Sequence, residues 1–370
     1  MTERRRWLLA ALSGLAIPAS GAFSQQSGIY VEFYSALNPV DGWAAVPGYP
    51  NRHNNEPGLS SGSNVSIQNA NIVPYRVFAV SPTTTDIGNI TVSGSSVQTT
   101  LLVGRQHGPP ILIPGIELPA AGARNVGQIR ELGTARVELQ ARVTGSINGL
   151  VDTWQVVRID ANTINAPIYH NAWLHSSAPT LGWIRASSMT SSGSIRSWLG
   201  DIDVIEITGN SHGEIRSDSG NIDRIEIGVS GVPRNLTGPI QAFAGTINLV
   251  TVSGSIGSVS TPVNIKSAGN INQIVADELH ADIDTRLSGA QGGIQFLRTT
   301  GATTPGNFTG SLNTWRLFQG GVSNPQMLIA GDMNAAVTID QSVEIPVEIG
   351  GSAYGALSIG GDLEHLFSIG

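Results

Sequence analysis

Two groups of side chains in this sequence have the types and spacing to do chemistry. In the first, Trp154, Trp173, Trp183 and Trp198 fall close together with Asp160, Tyr169, His170 and His175. Flat indole faces stack on the C–H surfaces of sugar rings while carboxylates and imidazoles hydrogen-bond the hydroxyls, so an exposed cluster of this kind suits a carbohydrate. The alternative is that the tryptophans fill an irregular stretch of core and the histidines lie in a surface loop. The second group is acidic. Asp203 and Asp223 occupy equivalent places in two matching segments 20 residues apart, and so do Glu206 and Glu226. Carboxylates stacked at one strand spacing repel, and the repulsion has three outlets: raised pKa values, neutralisation by Arg196, Arg216 and Arg224, or a hard cation such as Ca²⁺ bridging the oxygens. The Ca²⁺-binding nonapeptide Gly-Gly-x-Gly-x-Asp is missing, so a solvated ladder with arginine neighbours is the simpler expectation and Ca²⁺ the one cofactor the pattern admits.

Little else in the chain is reactive. Zero cysteine removes thiol nucleophiles, disulfides, zinc-thiolate sites and Fe–S clusters together. Gly58-Leu59-Ser60-Ser61-Gly62 has the letters of a nucleophile elbow, but it follows Pro57 in a turn-rich stretch with no strand and helix to hold a serine at a sharp turn. Phosphate loops, dinucleotide fingerprints and His-Glu-x-x-His are all missing.

The elements that must position these groups come from a repeat. Gly193 to Ile207 and Gly213 to Ile227 match at 10 of 15 positions. Their shared unit, Gly-x-Ile-[Asn/Asp]-x-Φ-x-Φ with Φ apolar, recurs from Gly145-Ser-Ile-Asn through Gly245-Thr-Ile-Asn and Gly269-Asn-Ile-Asn to Gly361-Asp-Leu-Glu, and a variant at Gly127-Gln-Ile-Arg-Glu-Leu extends it toward the N-terminus. The period is 20 to 25 residues, the size of a solenoid repeat. Ile205-Glu-Ile207, Ile225-Glu-Ile227 and Val250-Thr-Val252 alternate with period 2 between closely spaced glycines, which leaves no room for an amphipathic helix. The first isoleucine and the next apolar residue stand three apart (Ile202/Ile205, Ile222/Ile225, Ile271/Ile274), so a bend must separate them if both point inward. Asn or Asp opens that bend at 148, 203, 223, 248, 272, 284, 313 and 334, residue types that tolerate tight turns and hydrogen-bond within them.

Short strand, polar corner, short strand and glycine corner, stacked coil on coil, describe an all-β chain. On this rung pattern and Asn corner ladder it resembles the parallel β-helix proteins, the broad group holding pectate-lyase-like enzymes, bacterial adhesins and autotransporter passengers. The resemblance implies one solenoid over residues 65–370, with no second domain needed. About 14 coils at ~4.8 Å each give a rod on the order of 65 Å. Residues 25–64 carry no rung unit and read as an N-terminal cap, whereas the last rung, from Gly361, has no cap of its own. That open coil suggests a fragment or end-to-end association with a partner.

Arg4, Arg5 and Arg6 precede an apolar run from Trp7 to Ala19 and a small-residue exit, the three parts of an export signal over residues 1–24. The run is too short for a membrane span, which needs ~20 apolar residues. Removing Glu3 and the three arginines takes a net +2 away and shifts the formal charge from −7 to −9. Nucleic acid is then a poor partner, since the cations are scattered singly and Lys266 is the only lysine. The sequence points to an exported bacterial structural or adhesive β-solenoid, extracellular or on the cell surface, with a polysaccharide or another surface protein as its partner and without catalysis. The alternative is a β-helix protein that binds or cleaves a polysaccharide around Trp154 to Trp198.

Overall fold

With isoleucine or valine at the first, fourth and sixth positions of each unit and Gly or Asx between units, the chain buries its apolar side chains by winding into coils that pair strand on strand. A computed structural model has this architecture and describes residues 29–33, 60–70, 75–79, 85–94, 98–104, 123–133, 135–171, 179–228, 232–365 and 367–370. Two long parallel sheets of 16 and 14 strands run through it. Each middle coil gives one strand to the first sheet (Ile202–Ile207, Ile222–Ile227, Ile247–Val252) and turns a corner. It then makes a single bridge in a third row (Met189, Ser211, Leu236, Ile256) before giving a shorter strand to the second sheet (Ser194–Ser197, Glu214–Ser217, Ile240–Ala242). Among the described residues the only helical element is the 3-10 turn Leu287–Gly289. The fold is the all-β parallel β-helix that the repeat predicts.

Ile202 lies in register with Ile222, Ile247, Ile271 and Ile294 in turn. The steps of 20, 25, 24 and 23 residues fall within the expected period. Elsewhere the range is wider, 17 residues from Asn148 to Asn165 and 39 from Asn89 to Gln128, because extra residues enter between strands and leave the pairing intact. Ile202, Ile205 and Ile207 are all fully buried, which places the bend at Asp203–Val204. Each such isoleucine contributes about 1.5–3 kcal/mol, and the rows merge into one continuous core.

At the corners, side-chain amides replace strand pairing. Asn248 Nδ2 donates to Asp223 Oδ1 (2.6 Å), Asn272 Nδ2 to Asn248 Oδ1 (2.7 Å) and Gln295 Nε2 to Asn272 Oδ1 (3.0 Å). Two further corners use a different bond, in which an Asx oxygen accepts the backbone N–H of the next coil. Asn221 takes it from Thr246 (2.9 Å), Asn210 from Asn235 (3.0 Å) and Asn235 from Ser255 (2.9 Å). The single corner row read from the sequence is thus several ladders. Asp284 and Asn313, counted among the corners, instead pair along strands of the second sheet.

Of the segment read as a cap, the structure describes 29–33 and 60–64. Ile29–Phe33 pairs antiparallel with Tyr75–Ala79, the only antiparallel pair among the described strands, and begins the first sheet. Residues 60–64 are already tied to the next coil, through Gly62 N–H to Asp86 O and Gly88 N–H to Ser63 O. At the other end Leu363 is 53% exposed, whereas Val343, in register one coil earlier, is 1% exposed. In this row, therefore, the coil with neighbours on both sides is buried and the last coil is not.

Coils this close leave no room for a side chain at some corners. A Cβ on Gly220 would strike the carbonyl of Gly200 in the preceding coil. We predict that Gly220→Ala destabilises the fold by about 1–3 kcal/mol, visible as a lower Tm, while Ser219→Ala beside it is close to neutral. Equal melting of the two variants would show that the coils are not packed as described.

Candidate functional site

The residues expected to bind sugar are separated by the fold. In a strand adjacent residues face opposite ways, so Tyr169 points outward from the second sheet while His170 points into the core. His170 is fully buried. Its Nε2 donates to Pro179 O (2.6 Å) and its Nδ1 accepts the Val156 N–H (3.4 Å), which fixes a neutral tautomer. Trp154 is buried as well. Asp160 and Trp183 lie on the outer face of the first sheet, where the Arg158 guanidinium sits over the Trp183 ring (4.5 Å) and pairs with Asp160 (3.1 Å). Trp198 follows a strand of the second sheet, with Arg196 over its ring at 3.5 Å. Trp173 and His175 lie outside the described residues. Tyr169, Asp160 and Trp183 therefore share no stacking face, because they belong to two sheets whose outer surfaces point apart.

The acidic pairs do come together. Glu206 is in register with Glu226 at one strand spacing, and Ile202 with Ile222, which sets Asp203 beside Asp223. Arginines meet the glutamates, Arg185 with Glu206 (3.3 Å) and Arg224 with Glu226 (3.6 Å). Asp203 is held above the ordinary carboxylate range by desolvation, then by the charge of Asp223 and a hydrogen bond shared with it, and by Asp201. Arg196 and Arg216, expected beside these acids, instead share Asp218 on the second sheet (2.8 and 2.5 Å). Among the described residues no three His, Asp or Glu side chains gather closely enough to hold a metal ion. Asp203, Glu206, Asp223 and Glu226 form two separate rows answered by arginine and amide partners.

Two features escaped the reading of the sequence. One is a buried polar column, Thr153, His170, Ser197 and Ser217 in register down the second sheet, with Glu131 in the same inward row. Glu131 Oε2 accepts the backbone N–H of Val137 (3.0 Å) and of Trp154 (2.7 Å). Alternation within Ile129–Gly133 put Glu131 on the inward side beside Ile129, and this was the available signal.

The other feature is a trough. Strands Gln155–Ile164 and Leu181–Met189 run round a corner of the first sheet, pairing at their ends with the bridge row. The bend leaves two contiguous hollows of about 400 and 480 Å³ that share Ser187 and Thr208. Small residues line the bottom, Ala161, Ser187 and Gly209, and a Cβ on Gly209 would strike Ser187 O. To one side runs the outward row Arg142, Asp160, Arg185, and to the other stand Asn162, Asn210 and His212, with Arg234 at one end.

Glu131 and His170 make stability depend on pH in opposite senses. Burial lifts Glu131 to about 7, above its usual 4.5, so its contribution is intact below pH 4.5 and is lost as pH rises through 7. Burial lowers His170 from 6.5 to about 4, so its contribution is intact above pH 6.5 and is lost as pH falls toward 4. Glu131→Gln should remove the first loss, making the variant more stable than wild type by up to about 3 kcal/mol at pH 8, with the gap closing toward pH 4.5. Thermal melts at the two pH values check this, and a gap that does not change with pH would refute the burial of a titrating carboxyl.

No protein-family model matches this chain, and no match to it is found among curated proteins or solved structures.

Proposed function

We propose that this protein is an exported structural or adhesive β-solenoid, a rod that presents a surface and does not turn over a substrate. The observation that carries the reading is where its most perturbed ionisable groups lie. Enzymes place such groups in clefts, where a shifted pKa serves a substrate. Here Glu131 is 9% exposed and His170 is 0% exposed, both inside the core column. Arginines meet four of the carboxylates on the outer faces of the middle coils: Arg158 meets Asp160, Arg185 Glu206, Arg224 Glu226, and Arg196 and Arg216 together Asp218. Glycoside hydrolysis needs one carboxyl held protonated and a second left to act as nucleophile or base across the scissile bond.

Export rests on the basic and apolar N-terminal run, Arg4 to Ala19. Among the described residues no helix is long and apolar enough to cross a membrane.

Incubation of the purified protein with polyuronates and neutral polysaccharides should release no new reducing ends and no unsaturated uronide absorbance. Fractionation of producing bacterial cells should recover the protein outside the cytoplasm with its first two dozen residues removed. Turnover that disappears when a surface carboxylate such as Asp160 or Glu206 is changed to its amide would overturn the non-catalytic reading. Retention of the intact chain in the cytoplasm would overturn export.

A further inference from the structure

The trough has the features of a binding site. We propose that it holds a linear anionic glycan lying along the rod axis, and that this glycan is the partner of the adhesive rod. The proposal deepens the reading of the chain as a non-catalytic surface, since it requires binding without cleavage.

The lining holds three arginines, Arg142, Arg185 and Arg234, against one carboxylate, Asp160, in a chain whose formal charge is −7. Asp160 is occupied by Arg158. Arg185 meets Glu206 on one side, and with its side chain 50% exposed the guanidinium has further N–H donors to offer a ligand from the solvent side. The buried Nε of Arg234 has no hydrogen-bond partner within the protein.

Asp160 separates Arg142 from Arg185 in the outward row, and Glu206 and Glu226 follow Arg185 in the next two coils. Arg234 leaves the same coil as Glu226, two coils beyond Arg185, and leads into the bridge at Leu236. Arg142 and Arg185 are therefore two coils apart, roughly 10 Å at ~4.8 Å per coil, and Arg234 lies two coils beyond Arg185 but to one side of that row, two residues before the bridge as Ser187 and Gly209 are. A flat glycan with twofold symmetry turns successive residues to opposite sides, so that acid groups facing one way recur on every second sugar. A coil step is close to the length of one pyranose unit in such a chain, which puts rod and glycan in register.

The rest of the lining is uncharged and polar or small: Asn162 and Asn210 offer amide donors and acceptors, Ser187 and Thr208 offer hydroxyls, and Ala161 and Gly209 leave space. This lining suits a ligand dense in hydroxyl groups. Trp183 lies outside the lining with Arg158 over its ring, so the trough provides no aromatic platform for nucleic-acid bases.

The test is a binding titration of the purified protein with β-1,4-linked mannuronate oligosaccharides. Neutral β-1,4-mannan oligosaccharides of the same linkage serve as the control for shape and inorganic polyphosphate as the control for charge. The mannuronate should bind and the mannan should not. Affinity should fall roughly tenfold for Arg142→Gln, Arg185→Gln or Arg234→Gln, and should weaken with added salt. Ser187→Trp, at an exposed position, fills the trough without changing any charge and should abolish binding. Equal affinity for mannan, binding unaffected by Ser187→Trp, or polyphosphate binding as tightly with the same arginine dependence would each overturn the proposal. Failure to bind leaves the rod reading standing. Mannuronate that binds through the arginines and is cleaved would overturn the non-catalytic reading and leave the trough in place.

Discussion

A coil of a parallel β-helix finds partners for its backbone only in the coils before and after it. Along the strands, parallel pairing supplies them. At the corners pairing stops, and each N–H that would be left unsatisfied costs about 1–3 kcal/mol. The chain meets this constraint with asparagine and aspartate, whose side-chain oxygens accept from the next coil: Asn64 from Asn89, Asn89 from Gln128, Asn307 from Asp332 and Asp332 from Ser352. Serine and threonine satisfy the turn carbonyls from within. Ser197 Oγ donates to Gly200 O (2.9 Å), Ser267 Oγ to Gly245 O (2.8 Å) and Thr285 Oγ1 to Gly292 O (2.7 Å), so the buried polar column caps turns that water does not reach.

Stacking under this constraint also fixes what the outside can do. A side chain on one coil meets its counterpart one strand spacing away, so any function on the lateral surface takes the form of a row. Charges in such a row are balanced by alternation, as in Arg142, Asp160, Arg185 and Glu206 in succession. A ligand matched to such a surface must itself repeat along the axis. A compact ligand would need a pocket that interrupts the coils, and the trough is a bend within continuous strands.

The sequence exposed the parts of the structure that repeat. The 20-residue match of Gly193 to Ile207 with Gly213 to Ile227 carried over directly into the pairing of Ser194–Ser197 with Glu214–Ser217 and of Ile202–Ile207 with Ile222–Ile227. The three-residue gap between Ile202 and Ile205 located the bend at Asp203. The tryptophan cluster misled because nearness in sequence mixes two sheets and two faces. Tyr169 and His170 are adjacent yet one is outside and one inside, and Trp183 and Trp198 stand on different sheets. The trough was invisible because it joins residues from five coils, Arg142 to Arg234, each ordinary in its own unit. In the final coils the repeat shortens to ten-residue halves, with Met333, Ala335, Val337 and Ile339 answered by Val343, Ile345, Val347 and Ile349. Alternation had hidden this finer period inside the longer one.

Successive units stack at one strand spacing per coil, a geometry open to a direct distance measurement. The chain has no cysteine, so pairs of introduced cysteines carry spin labels without background. Arg185 and Arg298 lie five coils apart in the outward row, through Glu206, Glu226, Thr251 and Val275. Glu348 lies two coils further on, through Leu328. Pulsed electron resonance should give distances of roughly 24 Å for Arg185→Cys with Arg298→Cys and roughly 34 Å for Arg185→Cys with Glu348→Cys, each narrowly distributed. Distances that do not grow with the number of intervening coils would contradict the stack, and with it the spacing on which the trough depends.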